Sequence, residues 1–401
     1  MMTVGQTAML HPSLAGMVEA VDAKISREAL HMRFTANAEK FLLSYLELLM
    51  KRTARTEGIN PTALAPFNRV HIFDSSSWDI DPELKALLPG SGGGASSANC
   101  KLQAGYEYKT GSLGFFAVTE GIKPDQAYSL ELVSHVQKGD LTLEDLGYFK
   151  LRKFQLLSEK GAFFLSRLLV GTSVFDAETS REINLGSMLR GVKDDVLELN
   201  VTIGAKERFP CRLVALRVPD QVANARRRKL RKESKKKGRT PSQIHLALCD
   251  WTLFATNAPA EILPLKVIRS LYRLRWQIEL IFKQLKSVLR IHRSNTGIEH
   301  RLICELYGKL IMAVIIHSIH AHLNMEMLST KGMEVSFDKL YKRIQERAFA
   351  LMRNLLVSVA KALNKFLLEI NELAVSCIKY KQQSRKTTLE LLELANDFKA
   401  Y

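Results

Sequence analysis

The chain has 401 residues, 46% hydrophobic and 25% charged, the length and balance of a soluble globular protein with two or three domains and a sizeable core. Lys and Arg outnumber Asp and Glu by 58 to 41, and the net charge of +17 favours a polyanionic partner, nucleic acid first. Three classes are set aside. No apolar run reaches the roughly 18 residues of a membrane helix, the best being LIMAVII at 310–316. The first residues lack the apolar stretch of a secretory signal. The five cysteines (Cys100, Cys211, Cys249, Cys304 and Cys377) form no CxxC pair, which argues for a reducing cytoplasm and against a zinc site or a disulfide framework.

Residues 12–52 read as helical, with Ser13 and Ser26 as N-caps, and 1–65 suits a small helical module that contacts DNA or a partner subunit. RVHIFDSSSWDI at 69–80 reads as a short strand that ends on Asp74 and leaves into a Ser-rich loop. Two strands follow, within 98–112 and 113–121, joined by a Thr-Gly-Ser turn. A helix over 125–137 comes next, then a strand leading to Asp145, a helix, and a strand AFFLSRL. Three strands, helix, strand, helix, strand is the alternation of a mixed sheet with helices on its faces, and the element order of an RNase-H-like core over 66–169. From 170 to 257 short strand-like runs suggest a β-rich insertion. Inside it lies ARRRKLRKESKKKGRT (225–240), a basic loop with ten Lys or Arg against one Glu. Its cations Arg226, Arg227, Arg228, Lys229, Arg231, Lys235, Lys236 and Lys237 are candidate phosphate contacts; the plainer reading is a solvated mobile loop.

Residues 267–293 contain no Gly or Pro and are dense in helix formers, so they read as one long helix within a second core segment at 258–300. Ile268, Leu271, Leu274, Ile278, Ile281, Phe282 and Leu285 mark its buried face. Tyr272, Arg275, Glu279 and Lys286 fall within roughly 60° of one another at 100° per residue, one stripe beside that face. A solvated surface with Arg275 paired to Glu279 four residues on would give the same pattern. Residues 301–401 read as helical again, with an apolar period across 337–364.

The four residues Tyr272, Arg275, Glu279 and Lys286, at those fixed offsets, resemble the signature of the insertion-sequence-four family of bacterial DDE transposases. Two further blocks agree with that resemblance: Asp74 followed by Ser75, Ser76 and Ser77, and Asp145 opening Asp-Leu-Gly-Tyr-Phe through Phe149. One departure is Glu144, a charge in a strand that is usually apolar. The resemblance implies that Asp74, Asp145 and Glu279 are catalytic carboxylates binding Mg²⁺, for which Mn²⁺ substitutes. Carboxylate oxygens suit such hard cations. It implies as well that Tyr272, Arg275 and Lys286 bind phosphates at the transposon end. Asp140 and Asp250 are rivals for the second carboxylate.

Trp251 precedes Tyr272 by 21 residues, the offset at which relatives carry a Trp that stacks on a flipped base; a buried indole is the alternative. Trp276 reads as core, and His317, His320 and His322 read as packing or surface residues rather than ligands. The expectation is therefore an α/β, RNase-H-like transposase with helical ends, acting on double-stranded DNA as a homodimer, near the bacterial nucleoid and away from membranes. It would cut and transfer strands, through a hairpin if the resemblance extends that far. A nuclease on the same fold and an inactive end-binding protein from a decayed element are the two other readings.

Overall fold

A computed structural model of the protein describes residues 13–20, 25–53, 62–92, 96–294, 296–344, 368–369, 372 and 375–379. The helical expectations over 345–364 and 386–397 lie outside the described residues. Among the described residues the amino-terminal stretch holds the helices α1 (Leu14–Ala20), α2 (Arg27–His31) and α3 (Ala36–Thr53). Ser13 Oγ accepts from the Gly16 amide and Ser26 Oγ from the Ala29 amide, both at 3.1 Å, so both caps form.

Strand β1 spans Val70–Asp79, and Asp74 therefore lies within a strand rather than at its end. The Ser run does not turn because no Gly or Pro breaks the chain before Pro82, and sheet pairing takes up its backbone groups. β2 (Asn99–Glu107) and β3 (Ser112–Glu120) form the expected hairpin, with Gly111 at φ +69° in its turn, where a side chain would be strained. The expected helix over 125–137 is instead α4 (Asp125–Tyr128) and a separate 3₁₀ turn, Glu131–His135. Between them the Ser129 hydroxyl bonds back to the Gln126 carbonyl at 2.8 Å, a local bond that competes with helix continuation. β4 (Leu141–Glu144), α5 (Leu151–Glu159) and β5 (Phe163–Arg167) follow as read.

Beyond β6 (Val174–Asp176), two strand-like stretches are helices: α6 (Leu185–Gly191), capped by Asn184, and α8 (Gln243–Leu248), capped by Ser242. Between them run β7 (Val196–Ile203), β8 (Phe209–Arg217) and α7 (Asp220–Lys236). The basic stretch is thus largely a helix, not a loop. Pro219 precedes it, Asp220 sits in its first turn, Lys235 and Lys236 in its last, and Gly238 follows at φ +62°. Each of these end effects favours a helix, and Arg and Lys are good helix formers inside it. After β9 (Trp251–Thr256) the expected single helix is two, α9 (Leu265–Arg273) and α10 (Trp276–Ser287), and the long α11 (Glu299–Lys331) follows.

The described chain forms two compact units, and it passes from one to the other between Thr53 and Thr62 and at Phe73/Asp74, Lys123/Pro124 and Arg275/Trp276. In the unit containing 124–275, β1 as far as Phe73, β4, β5, β9, β8, β7 and β6 lie in that order. β1, β4 and β5 are parallel, with Ile72 opposite Leu143 and Leu143 opposite Leu165. β9 joins β5 antiparallel, so the strands of the expected insertion extend this sheet and cover its edge. The result is a mixed α/β architecture with a large, mostly antiparallel sheet.

In the other unit the order is β3, β2 and the remainder of β1, and α11 packs on α3 and β3. By length and composition α11 could cross a membrane, which the sequence reading did not anticipate. Nevertheless 72% of its most apolar window is buried within the protein, as in a core helix. Lys309 of α11 donates to the Arg290 and Arg293 carbonyls beyond α10, and burial pulls its ammonium down to about 8. All five cysteines are buried and free of disulfides.

His317, buried on α11, packs its ring on Phe337 at 4.4 Å, while His320 Nε2 lies 2.9 Å from the Val335 carbonyl and His322 is exposed. Burial first, then the neighbouring His320, pushes the His317 imidazole down to about 3. Between about 6.5, the unfolded value, and 3 the unfolded chain gains a proton that the folded chain refuses. Stability should therefore be full above about pH 6.5 and fall as pH drops, by up to about 1.4 kcal/mol per unit. Urea unfolding at pH 7 and pH 5 should show a smaller difference in His317→Met than in the parent; equal differences would assign the acid sensitivity to other groups.

Candidate active site

Asp74 is half-buried in β1, where its Oδ1 accepts from the Ser75 amide at 2.8 Å. Three residues on, the Ser77 carbonyl accepts from Lys286 Nζ at 3.0 Å, and the ammonium lies 5.8 Å from the centre of the Trp78 ring. Partial burial holds that ammonium below its ordinary value. The signature Lys thus ties α10 to the strand that carries Asp74. Glu279 stands half-buried in the first turn of α10, where the exposed backbone amides of the helix start favour a carboxylate.

Asp145 follows β4 directly, at a strand end as read. Its Oδ1 is 3.6 Å from Arg275 Nε, so Arg275 reaches a carboxylate 130 residues away in sequence as well as lying four residues before Glu279. Tyr272 reaches the same strand end, its hydroxyl donating to the Glu144 carbonyl at 3.1 Å, with its ring edge-on to Phe254. Burial, then the Asp145 charge, pushes the phenol up to about 12, so Tyr272 stays a donor across the ordinary pH range. Two signature residues thereby converge on the end of β4. The tight turn that separates α9 from α10 falls at Leu274 and Arg275, with i to i+3 bonds from Leu271 and Tyr272 and no Gly or Pro.

The departure at Glu144 has its explanation in α5. Glu144 and Lys153 are both fully buried, with Lys153 Nζ 2.6 Å from Oε1 and donating to Oε2 at 2.7 Å. Burial lowers the ammonium's proton affinity while Glu144 opposes that shift. Removing one partner would strand a buried charge at a cost of about 3–5 kcal/mol. Lys153 escaped the sequence reading. The signal was there: a Lys directly before Phe154 on the apolar side of a short amphipathic helix, nine residues after a charged strand end.

The rival acids have other partners. Asp140 is buried, 2.9 Å from His71 Nε2, and accepts from the Gln137 amide at 2.8 Å. Asp250 pairs with Arg227. On α7 the inward side carries Ala223, Arg226, Arg227 and Leu230; Arg226 donates to the Trp251 carbonyl at 2.8 Å and to Thr252 Oγ1 at 2.9 Å. Arg228, Lys229, Arg231, Lys232, Lys235 and Lys236 line the exposed side, and Lys237 beyond the helix is exposed too.

Trp251 opens β9 and is 4% exposed, with the Arg217 guanidinium 4.3 Å from the ring centre. Arg217 is itself held by the Val192 carbonyl at 2.6 Å and by Asp195 at 3.3 Å. Trp276, expected in the core, is 55% exposed. It lies about 160° around α10 from the buried Ile278 and so faces away from the apolar side. Among the described residues no three His, Cys, Asp or Glu side chains are gathered as a metal site.

Asp74 in β1, Asp145 just after β4, and Tyr272, Arg275, Glu279 and Lys286 on α9, α10 and the turn between them are the blocks that resemble a DDE transposase. Residues 65–315 match the family described as Transposase DDE domain, and the chain belongs to that family. It is similar to the transposase of insertion sequence element IS231F of Bacillus thuringiensis subsp. israelensis, 29% identical over 82% of this chain and 73% of that one. That of IS231C, from subsp. berliner, is 30% identical over 80% and 71%; that of IS1151 from Clostridium perfringens is 28% identical over 95% and 85%. A synaptic complex of piggyBac transposase with hairpin DNA aligns over 92% of this chain and 84% of that one at 10% identity, with a TM-score of only 0.42. The protein is an insertion-sequence transposase of the DDE type, and a DDE domain implies dependence on a divalent metal.

Proposed function

We propose that the protein binds the terminal inverted repeats of its element as a homodimer and performs Mg²⁺-dependent strand cleavage and strand transfer, with Mn²⁺ able to substitute. The observation that carries this reading is the convergence of Tyr272 and Arg275 on the β4 end beside Asp145. The parallel order β1-β4-β5, with β9 antiparallel beside β5, supports an RNase-H-like core. Asp74, Asp145 and Glu279 are the proposed ligands, a set of oxygen donors only, which fits a hard divalent cation. When bound, a pair of such cations supplies charge neutralisation at the attacking and leaving oxygens.

The chain's own residues do the rest. Arg275 is poised to exchange its carboxylate partner for a DNA phosphate, for which its planar fork is well suited. The exposed side of α7 offers a row of cations to the duplex backbone. Water opens the first strand, and the freed 3′-hydroxyl then attacks the opposite strand or the target. The inactive end-binder finds its best support in the less typical strand before Asp145, and Lys153 neutralises the Glu144 carboxylate that makes that strand atypical. A Mn²⁺-dependent nicking assay on end-containing DNA separates the readings. Binding with no nick would leave an end-binder, and nicking indifferent to the end sequence would leave a nuclease.

Passage through a hairpin would use Trp251 as the platform for a flipped base, which requires Arg217 to leave the indole face. Stacking contributes about 1–3 kcal/mol per base, or roughly 5- to 150-fold in that step. Trp251→Ala should slow hairpin formation by that factor and spare the first nick, as read from end-labelled DNA on a denaturing gel. Equal loss of both steps would make Trp251 a core residue.

A further inference from the structure

The geometry points to Lys153 and Glu144 as a positioning pair that sets the backbone leading into Asp74, within β1, and into Asp145, just after β4. This rests on the proposed role of those two carboxylates. Ile72 and Leu143 are opposite one another on parallel β1 and β4, and the residues that follow them are Phe73 and Glu144. Lys153 Nζ engages both. It meets the Glu144 carboxylate at 2.6 and 2.7 Å and lies 5.6 Å from the centre of the Phe73 ring. Asp74 comes directly after Phe73, and Asp145 directly after Glu144. One cation from α5 therefore holds the residue before each proposed ligand.

Further contacts surround that node. The Lys153 ammonium lies 5.6 Å from the ring centre of Tyr148, in the same Asp-Leu-Gly-Tyr-Phe block as Asp145. The Tyr272 hydroxyl donates to the Glu144 carbonyl. Phe154, next to Lys153, stacks on Phe164 of β5 with ring centres 4.0 Å apart, so α5 is fixed to the sheet by apolar packing as well. A buried ion pair is seldom better for stability than two apolar residues of similar size. What it adds is direction. A short, charge-assisted contact tolerates less displacement than apolar packing, and a metal site needs its ligands placed to within about 0.5 Å.

The test compares the full-length parent with Lys153→Met and with the apolar pair Glu144→Leu/Lys153→Met, both with end-containing DNA. Three quantities are measured: the melting temperature, Mn²⁺ affinity by electron paramagnetic resonance titration, and the nicking rate. Lys153→Met alone should lower Tm by roughly 5–15 °C, because a carboxylate is left buried without its cation. The apolar pair should regain most of that Tm yet bind Mn²⁺ about 10-fold more weakly or worse, as outer-shell changes at metal sites do. A pair that regains Tm, Mn²⁺ affinity and nicking together would overturn the inference and leave an ordinary core contact. If the apolar pair does not fold, Glu144→Gln/Lys153→Gln takes its place with the same expected loss. Failure of both pairs to fold would make these residues folding elements and also overturn the inference. Asp145→Ala is run alongside. If it keeps Mn²⁺ binding and nicking, the ligand assignment itself fails; if it loses both while the apolar pair matches the parent, only the positioning role falls.

Discussion

Asp74→Ala, Asp145→Ala and Glu279→Ala should each abolish nicking, by at least about 1,000-fold, while end binding measured by gel shift stays within a few-fold of the parent. The size follows from the chemistry. Charge stabilisation at a phosphoryl group by a bound cation supplies several kcal/mol, and about 4 kcal/mol corresponds to a 1,000-fold rate. End binding survives because it is made by cations on phosphates, not by carboxylates. The rivals should behave differently. Asp140→Ala removes the partner of buried His71 and of the Gln137 amide, so it should cost stability and leave nicking in whatever protein remains folded. Asp250→Asn should weaken the hold of Arg227 without abolishing chemistry. Full nicking by Asp145→Ala would move the second ligand elsewhere, with Asp140 next to be tested.

Replacing Arg228, Lys229, Lys232, Lys235 and Lys236 together with Gln should weaken binding to all DNA sequences and flatten its dependence on salt. The log–log salt slope falls by about 0.9 for each phosphate that is no longer neutralised, so five such phosphates would reduce it by about 4.5. These residues share the exposed side of α7, whose ends are independently favoured by Asp220 and Gly238. Circular dichroism should therefore show the helix retained. Arg226→Ala and Arg227→Ala are the contrasting pair. They hold the Trp251 carbonyl, Thr252 and Asp250, so they should lower Tm and leave the salt slope nearly unchanged. An unchanged slope in the five-residue variant would make α7 a solubilising helix.

Much of the candidate site was legible along the chain. Asp145 directly follows β4, and the offsets from Tyr272 to Lys286 identify the family before any fold is known. What failed were assignments that depended on ends or on remote partners. The basic stretch was read by its charge, which is that of a solvated loop; Pro219, Asp220 and Gly238 outside or at the edge of it were the better guides. The end of β1 was placed at Asp74 because Ser is common in turns, although nothing there forces one. Trp276, inside the signature helix, reads as core, while its angular position opposes the buried face.

The local features are legible along the chain: the Ser13 and Ser26 caps, the turn at Gly111, the strand leading to Asp145 and the family signature. Caps and turns are decided by sterics and hydrogen bonds among residues a few positions apart, which one chain displays directly. Long-range packing sets the meeting of Arg275 with Asp145, the acceptor of the Tyr272 hydroxyl, the cations of α7 that face solvent and the partner that neutralises Glu144. Tyr272 and Glu144 are 128 residues apart. No periodicity reports such a pair, because its geometry depends on how strands and helices from separate stretches pack together. The break between α9 and α10 belongs with these, since no residue there ends a helix on its own account and Arg275 lies beside Asp145 at that point.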